Sequence, residues 1–205
     1  MFLDSGDGIV FMGEFGPWYT QRFGDPHLTT DAAKSLLEGV LRTYHELGGP
    51  PLKEVFLHCR SGINEQEFSG FRSACPSEVA LVGIRVRQER RDVRLMREGA
   101  YPVLRGTFWR VSGRRGYLWA SGLHPTLGTY PGSEIPAPLC IEVQHGEAAI
   151  EQVAKDILAL SKLNYNACRI GEAEPVTVGF SDAVGEILVT NPGAKHRKPN
   201  FKFYI

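Results

Sequence analysis

Arg60 and Ser61 sit where a chain does chemistry: they follow Val55-Phe-Leu-His-Cys59, a short apolar and β-prone run, and precede Gly62 and Asn64. Open α/β sheets place their working residues just beyond the carboxyl ends of strands. The residue types limit what this turn can do. A guanidinium attracts anions, whereas a serine hydroxyl is neutral and cannot offset the charge of a divalent ion. Ser61 alone reads first as an ordinary turn hydroxyl bonded to nearby backbone. Gly62 supplies backbone freedom, and Asn64 with Glu67 forms an N-x-x-E variant of the capping box that opens a helix carrying Phe68 and Phe71 inward.

The elements around the turn follow from period and punctuation. Ile9 to Phe15 reads as a strand after a Gly6-Asp7-Gly8 turn, with its partner before the turn almost missing. Thr29 and Thr30 offer caps for a helix to about Leu47, with Ala33, Leu37, Val40 and Tyr44 in its apolar stripe. Strands are expected over Val79–Val86, Thr107–Val111, Tyr117–Ser121 and Leu139–Val143, then a helix from about Glu147 to Leu163. Pro175 is expected to introduce a short strand, Val176–Val178, and Ser181 to cap a last helix to about Val189. Strands first, then strands alternating with helices, indicate an α/β fold with a mixed sheet, and the spacing suits an RNase H-like core.

Composition narrows the class. The chain has 205 residues, 42% of them hydrophobic, enough to bury a real core in one domain. Charges balance at 23 against 23, so no overall field selects a partner. Their distribution is uneven: Arg85, Arg87, Arg90, Arg91, Arg94, Arg97, Arg105, Arg110, Arg114 and Arg115 crowd one stretch that holds no lysine and only Glu89, Asp92 and Glu98. Alternation of Arg85 and Arg87 with Ile84 and Val86 is explained by one solvent-facing side of a strand. Cys59, Cys75, Cys140 and Cys168 are too scattered for a zinc or disulfide pattern and read as reduced core residues. No apolar run is long enough to span a membrane, and the start is no secretory signal, so a cytoplasmic protein is expected.

Together these stretches resemble a known family. Arg60-Ser-Gly-Ile-Asn-Glu-Gln-Glu-Phe68 is similar to the R-D-G-V-S-E-G-Q-F signature of the PIWI domain of Argonaute proteins, at the same place after a strand. Gly6-Asp-Gly-Ile-Val-Phe11, Gly16-Pro-Trp-Tyr19, Tyr101-Pro-Val-Leu-Arg-Gly106, Leu163-Asn-Tyr-Asn166, Pro175-Val-Thr177 and Phe201 to Ile205 resemble prokaryotic Argonautes in order and spacing. The resemblance implies an RNase H-like PIWI domain over residues 1–205, a mixed sheet flanked by helices, N-terminally truncated with its first strand missing and with no MID or PAZ domain. Active members cut the target with two metal ions held by an Asp-Glu-Asp-Asp or Asp-Glu-Asp-His set.

That set is degenerate here. Ser61 stands at the second Asp, only Asp182 retains a suitable ligand, and the Glu and first Asp have no good counterpart. The expectation is a catalytically inactive, long-type module that holds guide and target without a catalytic metal, in prokaryotic defence against foreign DNA. The alternatives are a guide-directed endonuclease completed by residues outside this chain, and a protein-interaction scaffold. Candidate nucleic-acid contacts are Arg60, Arg94, Arg97, Arg105, Asn164, Asn166, Arg169, Lys195, Arg197 and Lys198. Trp18, Tyr19, Trp109 and Trp119 are expected to pack more often than to stack bases. The resemblance also implies that the carboxylate of Ile205 reaches a guide 5′-phosphate pocket through Mg2+ or a similar cation, shared with a MID domain. Expected partners are guide RNA or DNA, target DNA or RNA, a MID domain or other Argonaute half, and a separate effector protein, with no membrane.

Overall fold

The computed structural model describes residues 27–89, 93–128, 130, 135–163 and 174–190, with side chains in the last segment described to 183. Its order is α1 (Thr30–Glu46), β1 (Glu54–Cys59), α2 (Glu65–Ala74), β2 (Ala80–Gln88), β3 (Phe108–Arg110), β4 (Arg115–Leu118), β5 (Leu139–His145), α3 (Ile150–Ser161) and α4 (Val176–Thr190). The five strands form one mixed sheet in the order β1-β2-β5-β4-β3. Only the β1–β2 pair is parallel, crossed over by α2, while β2–β5, β5–β4 and β4–β3 are antiparallel. The hairpin expected over residues 2–15, and Trp18 and Tyr19, lie outside the described residues.

Two layers of helix cover the sheet because its strands alternate. Val82, Ile84 and Val86 of β2 and Ile141 and Val143 of β5 meet Ile150, Val153 and Ile157 of α3 on one face. On the other, Leu81 packs with Ala33 and Leu37 of α1 and Phe71 and Cys75 of α2. A third cluster joins Val103, Tyr117, Trp119 and Cys140, and the Trp119 indole N–H donates to the Pro136 carbonyl at 3.2 Å.

α1 is capped by Thr29, whose hydroxyl accepts from the Ala32 N–H. The α1–α2 contact depends on Gly70, where an added Cβ would lie 2.3 Å from the Thr30 carbonyl oxygen. α3 begins at Ile150, three residues later than the apolar pattern placed it, after an Ala149 cap that makes no side-chain bond.

The strand expected over Val176–Val178 does not form, and Ser181 caps nothing. One helix, α4, runs through both, and the Ser181 hydroxyl donates to the Thr177 carbonyl four residues back at 2.8 Å. A β-branched Val-Thr-Val triplet favours extended backbone, but burial of Val176 and Phe180 against Leu160 and Leu163 prevails over that local preference. Pro175 flanks the helix start, and its carbonyl accepts from the Val178 and Gly179 N–H groups at 3.0 Å. Among the described residues no helix is long and apolar enough to cross a membrane.

Candidate nucleic-acid interface

The turn after β1 is fixed at several points. Asn64 accepts from the Glu67 N–H at 2.8 Å, and the Glu67 carboxylate accepts from the Asn64 N–H at 3.0 Å, closing the capping box. Buried Glu67 also meets His27 Nδ1 at 2.9 Å and accepts from the Leu28 N–H, so one carboxylate ties α2 to the segment before α1. Ile63 N–H donates to Gln144 Oε1 at 2.8 Å, and the Ile63 carbonyl lies 2.7 Å from His145 Nε2. A carbonyl only accepts, so Nε2 carries the proton. Phe68 stacks on the His145 ring at 4.3 Å and 12°. The turn is thereby attached to the end of β5.

At the head of the turn, Arg60 does not stand alone. Its Nη2 donates to Glu174 Oε2 at 2.6 Å and is ion-paired with Asp182 Oδ2 on α4. One guanidinium thus lies between two carboxylates at the place where the sequence comparison put a metal-binding set. Glu174 carried no signal in the sequence beyond its position before Pro175. Beside it, Ser61 contributes a neutral oxygen. Among the described residues, the two carboxylates at this turn are both paired with an internal cation, and the Ser61 position carries no anion. Arg60, about half exposed, is engaged with acids rather than held open toward a phosphate.

On the same side of β1 as Arg60, His58 also reaches α4: its Nδ1 lies 2.9 Å from Thr177 Oγ1. Burial lowers the His58 pKa to about 4, so the ring is neutral at pH 7. Burial, with Glu67 adding a smaller effect, raises the Cys59 thiol to about 11. That thiol is therefore a poor nucleophile near neutrality.

Other candidates are dispersed. Arg94 and Arg97 are exposed on the segment after β2, and Arg94 donates to the Val93 carbonyl at 3.0 Å. Arg105 is spent on the scaffold: its Nε donates to the Ala120 carbonyl at 2.8 Å, and burial lowers its pKa. Trp119 is fully buried, whereas Trp109 is 54% exposed. Asn164, Asn166, Arg169, Lys195, Arg197, Lys198 and Ile205 lie outside the described residues, as does Cys168.

No protein-family model and no curated protein matches this chain. Solved structures do. The Argonaute of Clostridium butyricum bound to a guide DNA and a 19-mer target DNA superposes with a TM-score of 0.63 at 16% identity, over 80% of this chain and 21% of that one. A structure of Aa-Ago with externally bound siRNA gives 0.61 at 18% identity, over 85% and 23%. A. aeolicus Argonaute gives 0.59 at 18%, over 85% and 24%. The chain spans under a quarter of the length of these Argonautes. It shares the fold of that portion of the Argonautes, an RNase H-like α/β mixed sheet flanked by helices.

Proposed function

We propose that this chain is a guide-dependent nucleic-acid-binding module of the PIWI type, which holds a guide strand and its complementary target without cutting. The observation that carries the reading is the Arg60 clamp. In a metal-dependent nuclease the carboxylates at this turn are needed to hold divalent ions beside the scissile phosphate. Here Glu174 and Asp182 share the Arg60 guanidinium, and Ser61 supplies no charge. Binding needs none of that machinery, because a duplex is held largely through its phosphates.

The likeness to an Argonaute solved with guide and target DNA supports nucleic acid as the partner class. In this reading the rest of the guide pocket comes from a MID domain or another Argonaute half. The residues assigned to backbone phosphates in this reading are Arg94, Arg97, Asn164, Asn166, Arg169, Lys195, Arg197 and Lys198. Target recognition is relayed in the cytoplasm to a separate effector in defence against foreign DNA.

The test supplies the purified protein with a 5′-phosphorylated guide, a labelled complementary target and Mn2+. The expected result is retention of both strands, weakening as salt rises, with the target intact. Guide-directed cuts that disappear in Asp182→Ala would establish the endonuclease alternative instead.

A further inference from the structure

The arginine-rich stretch contains an arrangement that the guide-binding reading does not use. Register places Arg85 of β2 opposite Glu142 of β5, and Glu142 opposite Arg115 of β4. The adjoining row runs Arg87, Cys140, Tyr117 and Trp109 across β2, β5, β4 and β3. Ile84, Val86, Ile141 and Val143 all point to the α3 core. The alternating residues Arg85, Glu142 and Arg115 therefore share the opposite face. Beside that row opens a cleft of about 500 Å³ lined by Ile63, Ser112, Arg114, Arg115, Gln144 and His145, with Glu142 also on its wall.

Two features give this face a chemical direction. The first is unmet donors. Nε of Arg85 and Nε of Arg115 are buried with no hydrogen-bond partner among the described residues. An unmet N–H marks a guanidinium that the fold compensates only in part, although Arg115 Nη2 donates to the Tyr117 hydroxyl at 2.9 Å, and an anion at the outer nitrogens adds to that compensation. Arg114 is held at the cleft by bonds from Nε to the Val143 carbonyl at 2.9 Å and from Nη2 to the Gly146 carbonyl at 3.1 Å. Arg85 and Arg115 thus flank the half-buried Glu142 in register, and Arg114 lines the same cleft. Glu65, 3.8 Å from His145 Nδ1, extends into solvent at the cleft's far side. Arg87 is turned toward Glu89 at 3.4 Å and adds little.

The second feature is aromatic. The Trp109 ring, on the outermost described strand, lies 5.7 Å from Tyr117 at 33°, and the Arg115 guanidinium sits 5.6 Å over the Tyr117 ring. Guanidiniums beside an open indole suit a chain with both phosphates and flat bases. An acidic peptide would answer the arginines and leave Trp109 unused.

The geometry points to a second binding surface on this sheet face, for unpaired single-stranded nucleic acid: Arg85, Arg114 and Arg115 take backbone phosphates and Trp109 stacks a base. It needs neither a guide 5′ phosphate nor a complementary strand, so it stands apart from the reading above.

The probe is a fluorescently labelled oligothymidylate with a 5′ hydroxyl, followed by anisotropy across a salt series. Arg85→Gln and Arg115→Gln are each expected to weaken binding and to lower the slope of log affinity against log salt by about 0.7, the value for one single-strand phosphate contact. Trp109→Ala, at an exposed position whose loss leaves the core intact, should weaken binding about tenfold with the slope unchanged. Lys34→Gln, a charge-matched change on α1, should bind as wild type. Wild-type affinity and slope in all three site variants would overturn the proposal. So would displacement of the strand by polyglutamate as readily as by unlabelled oligothymidylate, which would make the face an acidic-protein surface. Wild-type protein that binds this probe but fails to retain guide and target would refute the guide reading and support this one; the reverse pattern would refute this one alone.

Discussion

At the scale of single residues, the Arg60 clamp makes a prediction about metal. Ser61→Asp restores the missing carboxylate, yet Arg60 still competes for Glu174 and Asp182, so calorimetry should show no tight Mn2+ site. Ser61→Asp combined with Arg60→Ala should bind Mn2+ measurably. Tight binding by Ser61→Asp alone would show that the guanidinium does not guard the site. Because Arg60 is 49% exposed and Asp182 45%, Arg60→Ala should cost no more than about 1 kcal/mol of stability, diminishing in high salt. His58 predicts a pH effect. Its pKa is about 4 in the fold against 6.5 for the free side chain, so between those values the unfolded chain binds a proton that the native chain does not. The stability from its burial is present above pH 6.5 and lost as pH falls toward 4, by at most about 3 kcal/mol. Thermal midpoints over that range should fall less steeply for His58→Gln than for wild type; parallel curves would show that His58 is not the group responsible.

At the scale of elements, α2 is the best-specified piece. Its box closes through Asn64 and Glu67, so Asn64→Ala should cost about 1 kcal/mol. Glu67→Ala should cost more, because it also strands the Leu28 and Asn64 N–H donors. Chemical denaturation would rank the two, and an equal cost would mean that the Leu28 tie carries no weight. Gly70→Ala should destabilise by about 2 kcal/mol, since the new methyl meets the Thr30 carbonyl rather than a flexible side chain. These elements were legible because caps and apolar periods act within a few residues. α4 was misread for the same reason: Val176 and Val178 suit a strand locally, and only Leu160 and Leu163, from another helix, decide otherwise.

At the scale of the whole molecule, the sheet gathers residues that the chain keeps far apart. Trp119 has no exposed surface and closes the cluster under the β4–β5 pair, so Trp119→Ala should cost about 3 to 5 kcal/mol. A shift of the denaturation midpoint by less than half of that would show that the cluster re-closes. By itself the sequence determined the strand–turn–capped-helix unit, the positions of most elements, the neutral Ser61, and an α/β class matching the Argonaute structures. Those follow from side-chain type, alternation and capping, which are local. Tertiary structure alone decided that Arg60 meets Glu174 across 114 residues, that His58 faces Thr177, and that Arg85 and Arg115 flank Glu142. Such meetings depend on strand order and register, which are set by the burial of both sheet faces at once and leave no mark on the neighbouring sequence.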